Sequence, residues 1–204
     1  MKHSLEYYSL HYLDMWLKHD RIYHESLNGE TREEKLAAIK KAVTYYKVAR
    51  NLPTRCDEGI GYDRYGPILK ILDSVTSSDF IVNPLETIAK VQKKISKAYG
   101  NREVLSATTK LLWLKVRSPI IIYDSQARKA LNTPDGVLSC FYDAWQAKYE
   151  SKRKSIEKVC EKLSRVSKYS YDHTTATPSY VQNISTQSWF QERVFDVYLW
   201  HEGQ

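Results

Sequence analysis

The chain has 204 residues, of which 42% are hydrophobic and 27% are charged, and its formal net charge at pH 7 is +7. A chain of this length and composition can bury a sizeable core, which excludes an intrinsically disordered protein. No run reaches about 18 apolar residues and the N-terminal segment is polar and amphipathic, so we expect neither a transmembrane helix nor a secretory signal.

Helical patterns dominate the first half of the chain. Thr31 and Glu34 form a capping box, and Asn83 followed by Pro84 is a second helix start. Asn28-Gly29 predicts a turn, and Gly100-Asn101 ends the helix that Asn83 opens. The helices predicted from these signals cover residues 4–19, 31–50, 65–73 and 83–99, and loops are predicted at residues 53–63 and 74–84.

Residues 104–131 are the most apolar stretch. They predict a buried helix from about Val104 to Val116, a break at Ser118-Pro119, a short β-branched run, and a second helix opened by Asp124. Beyond this stretch the pattern predicts a turn at residues 132–136 and a long helix over residues 137–168. A loop at residues 169–185 and a closing helix over residues 186–201, which packs into the core, complete the prediction. The whole pattern predicts an all-α protein.

Positive charge is concentrated in three segments. Residues 90–102 carry +5, residues 110–129 carry +4 and residues 148–168 carry +5. Each segment alone could be a solvated helix face, but three together favour binding to a phosphate backbone. The cysteines Cys56, Cys140 and Cys160 have no CxxC spacing, so we expect reduced thiols in a cytoplasmic protein.

Lys110 and Asp124 are ionisable groups in otherwise apolar surroundings. Helical spacing places Ser106, Trp113, Leu114 and Arg117 beside Lys110, with the opposite face directed to the core. A desolvated lysine can act as an amine nucleophile, although its stem could equally pack on this wall while the ammonium reaches water. Asp124 has an equally simple role as a helix N-cap.

The order Leu-Ser-Ala-Thr-Thr-Lys at 105–110, an apolar helix, and Pro-Ile-Ile-Ile-Tyr-Asp at 119–124 resembles the active-site segment of helix-hairpin-helix DNA glycosylases. The 8-oxoguanine glycosylase branch is the most similar, with a hairpin of the type L-P-G-V-G-T-K and a later P-V-D. Lys110 falls on the lysine nucleophile of that family and Asp124 on its catalytic aspartate. Both hairpin glycines are missing here. The C-terminal helix also resembles that of prokaryotic proteins with this fold, some of which act against phage with modified DNA bases.

The resemblance implies an enzyme that flips a damaged or modified base out of double-stranded DNA, attacks C1′ through Lys110, and could also cleave the strand as an AP lyase. It implies a compact helical domain, which could divide into lobes at 1–82 and 83–204 around a DNA-binding cleft. Gln126 falls where the branch has a phosphate-contacting histidine. The residues implied at the substrate are Trp113, Gln126, Trp189 and Phe190, and those at DNA are Lys97, Arg102, Ser106, Thr108, Thr109, Arg128 and Lys129.

Three other functions remain open from the sequence, the least specific of which is a structural or partner-binding helical protein. A nucleic-acid-binding module without catalysis would use Lys110 only to contact phosphate, and a metal-dependent nuclease is disfavoured because Asp124 lacks a following acidic-x-Lys pattern. The histidines of the first 24 residues lack zinc-site spacing, and there is no Walker loop or GxGxxG motif. We expect no metal, no cofactor, no membrane association and a monomer.

Overall fold

The computed structural model of the protein describes residues 3–59 and 61–204. Regular structure within these ranges is almost entirely helical, which confirms the predicted all-α class. None of the described helices is both long and apolar enough to span a bilayer. The α-helices are α1 Leu5–Met15, α2 Arg21–Leu27, α3 Arg32–Tyr45, α4 Gly66–Asp73, α5 Pro84–Ala98, α6 Leu105–Val116, α7 Ser125–Ala130, α8 Leu138–Cys160, α9 Pro178–Ser185 and α10 Ser188–Glu202.

Short polar side chains begin several of these helices, as the sequence predicts. The Thr31 side chain accepts a hydrogen bond from the Glu34 amide at 3.3 Å, and Asn83 accepts one from the Glu86 amide at 3.1 Å. Each bond satisfies an amide that has no partner within the first helical turn. These local interactions explain why the starts of α3 and α5 could be read from the sequence.

The structure differs from the predicted elements at several places. A π-helical turn, Trp16–Asp20, joins α1 to α2, and the predicted loop at 53–63 contains an antiparallel hairpin of β1 (Arg55–Asp57) and β2 (Gly61–Asp63). The loop predicted at 169–185 contains α9, whose start at Thr177-Pro178 is a recognisable capping signal. Finally, α8 ends at Cys160, and short 3-10 turns replace the predicted helix as far as residue 168.

The helices form two compact units. The terminal unit comprises the chain up to Arg21 together with Tyr123–Gln204, and the central unit comprises Ile22–Ile122. Helices α4 and α5 lie on either side of residue 82 in the sequence and pack against each other within the central unit. The unit boundaries therefore differ from the predicted lobes 1–82 and 83–204.

The central unit is built around α6, which packs against α3, α4 and α5. Every residue from Ala107 to Leu114 is buried. The expectation that α6 has one core face and one open face is therefore wrong. The helix is apolar enough to be buried on all sides, which is typical of a central core helix.

The terminal unit is organised around α10, which packs against α1, α7, α8 and α9. The prediction of a closing helix in the core is confirmed, because most residues of α10 are buried. Gly203, the residue after α10, lies so close to α7 that a Cβ atom at this position would overlap the Gln126 carbonyl group. Both ends of this unit's chain thus contribute to one core.

Candidate active site and nucleic-acid interface

Lys110 lies in the middle of α6 with only 5% of its surface exposed. Its Nζ donates a hydrogen bond to Ser106 Oγ at 3.0 Å, and the amine is 5.8 Å from the centre of the Tyr46 ring. The predicted proximity of Ser106 is confirmed, since residues four apart share a helix face. A hydroxyl oxygen and an aromatic ring are therefore polar and polarisable neighbours of this amine inside a largely apolar helix environment.

The turn before α6 is the hairpin of this region. α5 ends at Ala98 and α6 begins at Leu105, so residues 99–104 form the turn, and residues 105–110 are helical. The placement of the hairpin at 105–110 is therefore wrong. Gly100 and Asn101 adopt φ values of 78° and 59°, a left-handed conformation that glycine and asparagine adopt most readily.

Hydrogen bonds hold this turn in one conformation. The Asn101 amide donates to the Ser96 carbonyl at 2.8 Å, and Ser96 Oγ donates to the Arg102 carbonyl at 2.8 Å. The Glu103 carboxylate accepts a hydrogen bond from the Leu105 amide at 2.9 Å, at the N-terminus of α6. The turn is therefore an ordered connection between two helices.

A basic groove of about 480 Å³ lies along α5 at this turn. It is lined by Ala89, Gln92, Lys93, Ser96, Lys97 and Asn101. Lys93, Lys97 and the neighbouring Arg102 are exposed and form no ion pair with any residue in the described ranges. Exposed cations without a protein counter-ion are well suited to bind phosphate groups.

Asp124 caps α7 in the terminal unit, which confirms its predicted structural role. Its Oδ1 accepts a hydrogen bond from the Gln126 amide at 2.9 Å, and the side chain is half-buried. Arg128, one turn further, donates to the Thr133 carbonyl at 2.9 Å and lies 3.4 Å from Asp135. Arg128 thus stabilises the turn that follows α7.

The aromatic residues expected at the substrate are core residues in this structure. Trp113 is 1% exposed, and Trp189 and Phe190 are also buried. The Trp189 ring lies 4.5 Å from that of Trp16, and the Phe190 ring lies 4.9 Å from that of Tyr12. Since a stacked base needs an open ring face, their predicted contact with a base requires a rearrangement of the core.

The other expected contacts fall into three groups by exposure. Lys97, Arg102 and Lys129 are exposed, Ser106 and Gln126 are half-buried, and Thr108 and Thr109 are fully buried. The two buried threonines have no surface from which to contact DNA, so their expected phosphate contacts are wrong for this conformation. Gln126 instead accepts a hydrogen bond from Lys129 Nζ at 3.3 Å.

Sequence reasoning missed a buried charged network in the terminal unit. Arg193 Nη1 donates to Asp196 Oδ2 at 2.9 Å, and Arg193 Nη2 lies 3.6 Å from Asp20 Oδ2, at the end of the π-helical turn. Trp145 Nε1 donates to Asp196 Oδ1 at 2.7 Å. Burying these charges is costly unless they are paired, and one guanidinium here pairs with two carboxylates.

Burial changes the acidity of two carboxyl groups on α10. It raises the pKa of Asp196 to about 6, although Arg193 and Trp145 act in the opposite direction. Burial also raises the pKa of Glu192 to about 7, and the negative charge of Asp196 adds to that effect. A signal for this network was present in the sequence, because Arg193 and Asp196 are opposite charges one turn apart in a helix rich in large apolar side chains.

A second groove in the central unit, of about 980 Å³, has charges of both signs. Ion pairs engage several of them: Lys35 Nζ lies 3.0 Å from Asp73 Oδ1, and Arg32 Nη2 lies 3.9 Å from Asp63 Oδ2. None of the residues predicted to contact DNA lines this groove. Its charges are therefore largely committed to internal pairs.

Among the residues that the structure describes, no group of three or more histidine, cysteine, aspartate or glutamate side chains could hold a metal ion. The chain matches no protein-family model, and the searches of curated proteins and of solved structures found no match.

Proposed function

We propose that this chain is a DNA glycosylase in which Lys110 is the nucleophile and Asp124 the assisting carboxylate, acting on a damaged or modified base. The observation that carries the proposal is the buried amine of Lys110 on α6, the helix that follows α5 and its exposed Lys93 and Lys97. A lysine held in apolar surroundings is costly, and such groups are concentrated at functional sites.

The DNA grip in this proposal is the segment α5, turn 99–104 and α6. Within this turn Gly100 adopts a φ of 78°, a conformation that glycine reaches without strain. Lys93, Lys97 and Arg102 would contact phosphate oxygens, which position a protein on DNA without reading its sequence. The target nucleotide must leave the stack before an enzyme can reach its C1′ atom.

The chemistry assigned to Lys110 begins with its neutral amine. The nitrogen lone pair attacks C1′ of the deoxyribose, the bond from C1′ to the base breaks, and the base leaves with the bonding electrons and takes up a proton. The nitrogen then loses a proton, and its lone pair expels the ring oxygen O4′, which takes up a proton as the sugar ring opens and leaves a protonated imine. The Ser106 hydroxyl, 3.0 Å from Nζ, can accept a hydrogen bond from the ammonium or donate one to the neutral amine. Asp124 would stabilise the positive charge that develops on the sugar.

Borohydride trapping tests the proposal. The protein is incubated with duplex DNA that carries oxidised or bulky modified bases, and borohydride reduces any imine to a stable covalent adduct. We expect the wild type to be trapped and Lys110→Met to give no adduct, since methionine keeps the stem and removes the amine. Lys115→Met is the matched control, because Lys115 is a second partly buried lysine on α6 whose pKa is lowered by burial.

The outcomes separate the proposal from its alternatives. A wild type that releases no base and forms no adduct with any of these DNAs would contradict the glycosylase. Salt-sensitive DNA binding without turnover would favour a nucleic-acid-binding module, which the exposed basic groove supports independently of Lys110. Cleavage that needs magnesium and survives Lys110→Met would favour a nuclease.

A further inference from the structure

Two tyrosine rings of the terminal unit lie exposed beside lysine amines. Tyr169 is 69% exposed and Tyr171 is 64% exposed. Lys168 Nζ lies 5.0 Å from the centre of the Tyr169 ring, and Lys18 Nζ lies 4.0 Å from the centre of the Tyr171 ring. Each ring therefore has a positive charge next to it while most of its surface faces solvent.

The backbone that carries these rings is fixed by hydrogen bonds. The Tyr171 amide donates to Asp14 Oδ1 on α1 at 2.7 Å, and the Ser170 amide donates to the Ser167 carbonyl at 3.0 Å. Just beyond, Asp172 Oδ1 accepts hydrogen bonds from Thr174 Oγ1 at 2.7 Å and from the Thr175 amide at 3.1 Å. The tyrosines are thus presented outward by an ordered segment.

The residues that precede the tyrosines alternate between the interior and a basic surface. Leu163, Ser167 and Ser170 are buried and anchor the segment. Between residues 158 and 168 the exposed charged side chains are all basic except that of Glu161. The basic ones are Lys158, Lys162, Arg165 and Lys168. An anionic partner is therefore favoured at this surface.

We propose that Tyr169 and Tyr171, with Lys18 and Lys168, form a binding site for single-stranded nucleic acid, separate from the duplex grip proposed for the central unit. Flat exposed rings bind unpaired bases by stacking, and nearby cations bind the connecting phosphates. Bases in an intact duplex are already stacked on one another, so these rings have no comparable partner there. DNA and RNA share this chemistry, because every base has an aromatic face.

Fluorescence anisotropy with the full chain and labelled oligo(dT) or oligo(rU) of about 16 nucleotides tests the site. The Tyr169→Leu/Tyr171→Leu variant should bind at least about tenfold more weakly, because leucine is apolar but cannot stack. The Tyr169→Phe/Tyr171→Phe variant keeps both rings and should stay within about twofold of the wild type. Tyr62→Leu is the matched control, since Tyr62 is an 83% exposed tyrosine of the central unit. The preference between dT and rU identifies the nucleic acid.

Equal affinity of the double leucine variant and the wild type for both oligonucleotides would overturn the proposal. The proposal would also be overturned if the double leucine variant lost binding only to vesicles of phosphatidylserine and phosphatidylcholine. That result would identify a lipid surface as the partner. The Tyr169→Leu/Tyr171→Leu variant should be trapped by borohydride to the same extent as the wild type. A failure of borohydride trapping would contradict the glycosylase and leave the single-strand site intact. A failure of oligonucleotide binding would contradict the single-strand site and leave the glycosylase intact.

Discussion

Trp145 and Asp196 join α8 to α10 through a 2.7 Å hydrogen bond from the indole Nε1 to Oδ1. The other carboxylate oxygen of Asp196 accepts from Arg193, whose guanidinium also lies beside Asp20 at the end of the π-helical turn. Asp196 and Arg193 together therefore connect three segments of the terminal unit. All four side chains are buried, so each lost bond leaves a polar group without water.

Trp145→Phe should destabilise the protein by about 2–4 kcal/mol, because it removes the donor to a buried carboxylate and leaves a small cavity. Urea unfolding measures the change. Trp200→Phe is the control, since Trp200 is an exposed residue of α10 and its substitution should cost less than about 0.5 kcal/mol. Equal losses for the two variants would show that the bond to Asp196 contributes little.

Glu192 should make stability fall as pH rises. Its pKa is about 7 in the folded protein against an ordinary value of 4.5, so its contribution is fully present below pH 4.5 and is lost as pH rises to about 7. Asp196, with a folded pKa of about 6 against 3.8, acts in the same direction. Glu192→Gln should therefore be more stable than the wild type above pH 7, by roughly 1–3 kcal/mol.

Unfolding free energies between pH 4 and pH 8 test this prediction, with the exposed Glu161→Gln in the same unit as the control. The wild type and Glu161→Gln should show the same slope, and Glu192→Gln a shallower one. A Glu192→Gln variant that is less stable than the wild type at pH 8 would mean that the ionised carboxylate is stabilising.

Two substitutions of Asp124 separate helix capping from catalysis. Asp124→Asn keeps an oxygen acceptor for the Gln126 amide, so its stability should stay within about 0.5 kcal/mol of the wild type, whereas Asp124→Ala should lose about 1 kcal/mol. If the carboxylate has the proposed role, Asp124→Asn should be trapped by borohydride much more slowly than the wild type. Trapping that is unchanged in Asp124→Asn would leave only the capping role.

Removing positive charge at the end of α5 and in the turn 99–104 should weaken binding to duplex DNA. Lys97→Gln and Arg102→Gln should each reduce the slope of log K against the logarithm of salt concentration by about one. The loss of affinity should be similar for different DNA sequences. Lys90→Gln is matched in net charge and lies on the same helix, but Lys90 pairs with Glu86 at 2.6 Å. Fluorescence titrations at several salt concentrations should therefore show a smaller change for Lys90→Gln, and equal changes in all three variants would indicate a nonspecific charge effect.

The parts of the fold that follow local rules could be predicted. Asn83-Pro84 and Gly100-Asn101 delimit α5 through capping and left-handed backbone conformations, and the contact between Lys110 and Ser106 follows from helix geometry. These features depend on residues only a few positions apart.

The parts of the fold that depend on residues far apart in the chain could not be predicted from the sequence. The sequence around α6 indicates an apolar helix, but α3 and α4, which bury its other sides, come from far earlier in the chain. The pairing of Asp20 with Arg193 likewise requires segments near opposite ends of the chain. Both are products of tertiary packing, which helical periodicity does not encode.

The division of the terminal unit between two separate stretches of chain has a consequence for synthesis on the ribosome. α1 is made before the central unit, whereas its packing partners α8 and α10 are made after it. The central unit is a continuous stretch and can fold as soon as it is released, as domains generally do. The side chains of α1 that are buried in the folded unit, such as Tyr12 and Leu13, therefore lack their partners on α10 until that helix is made.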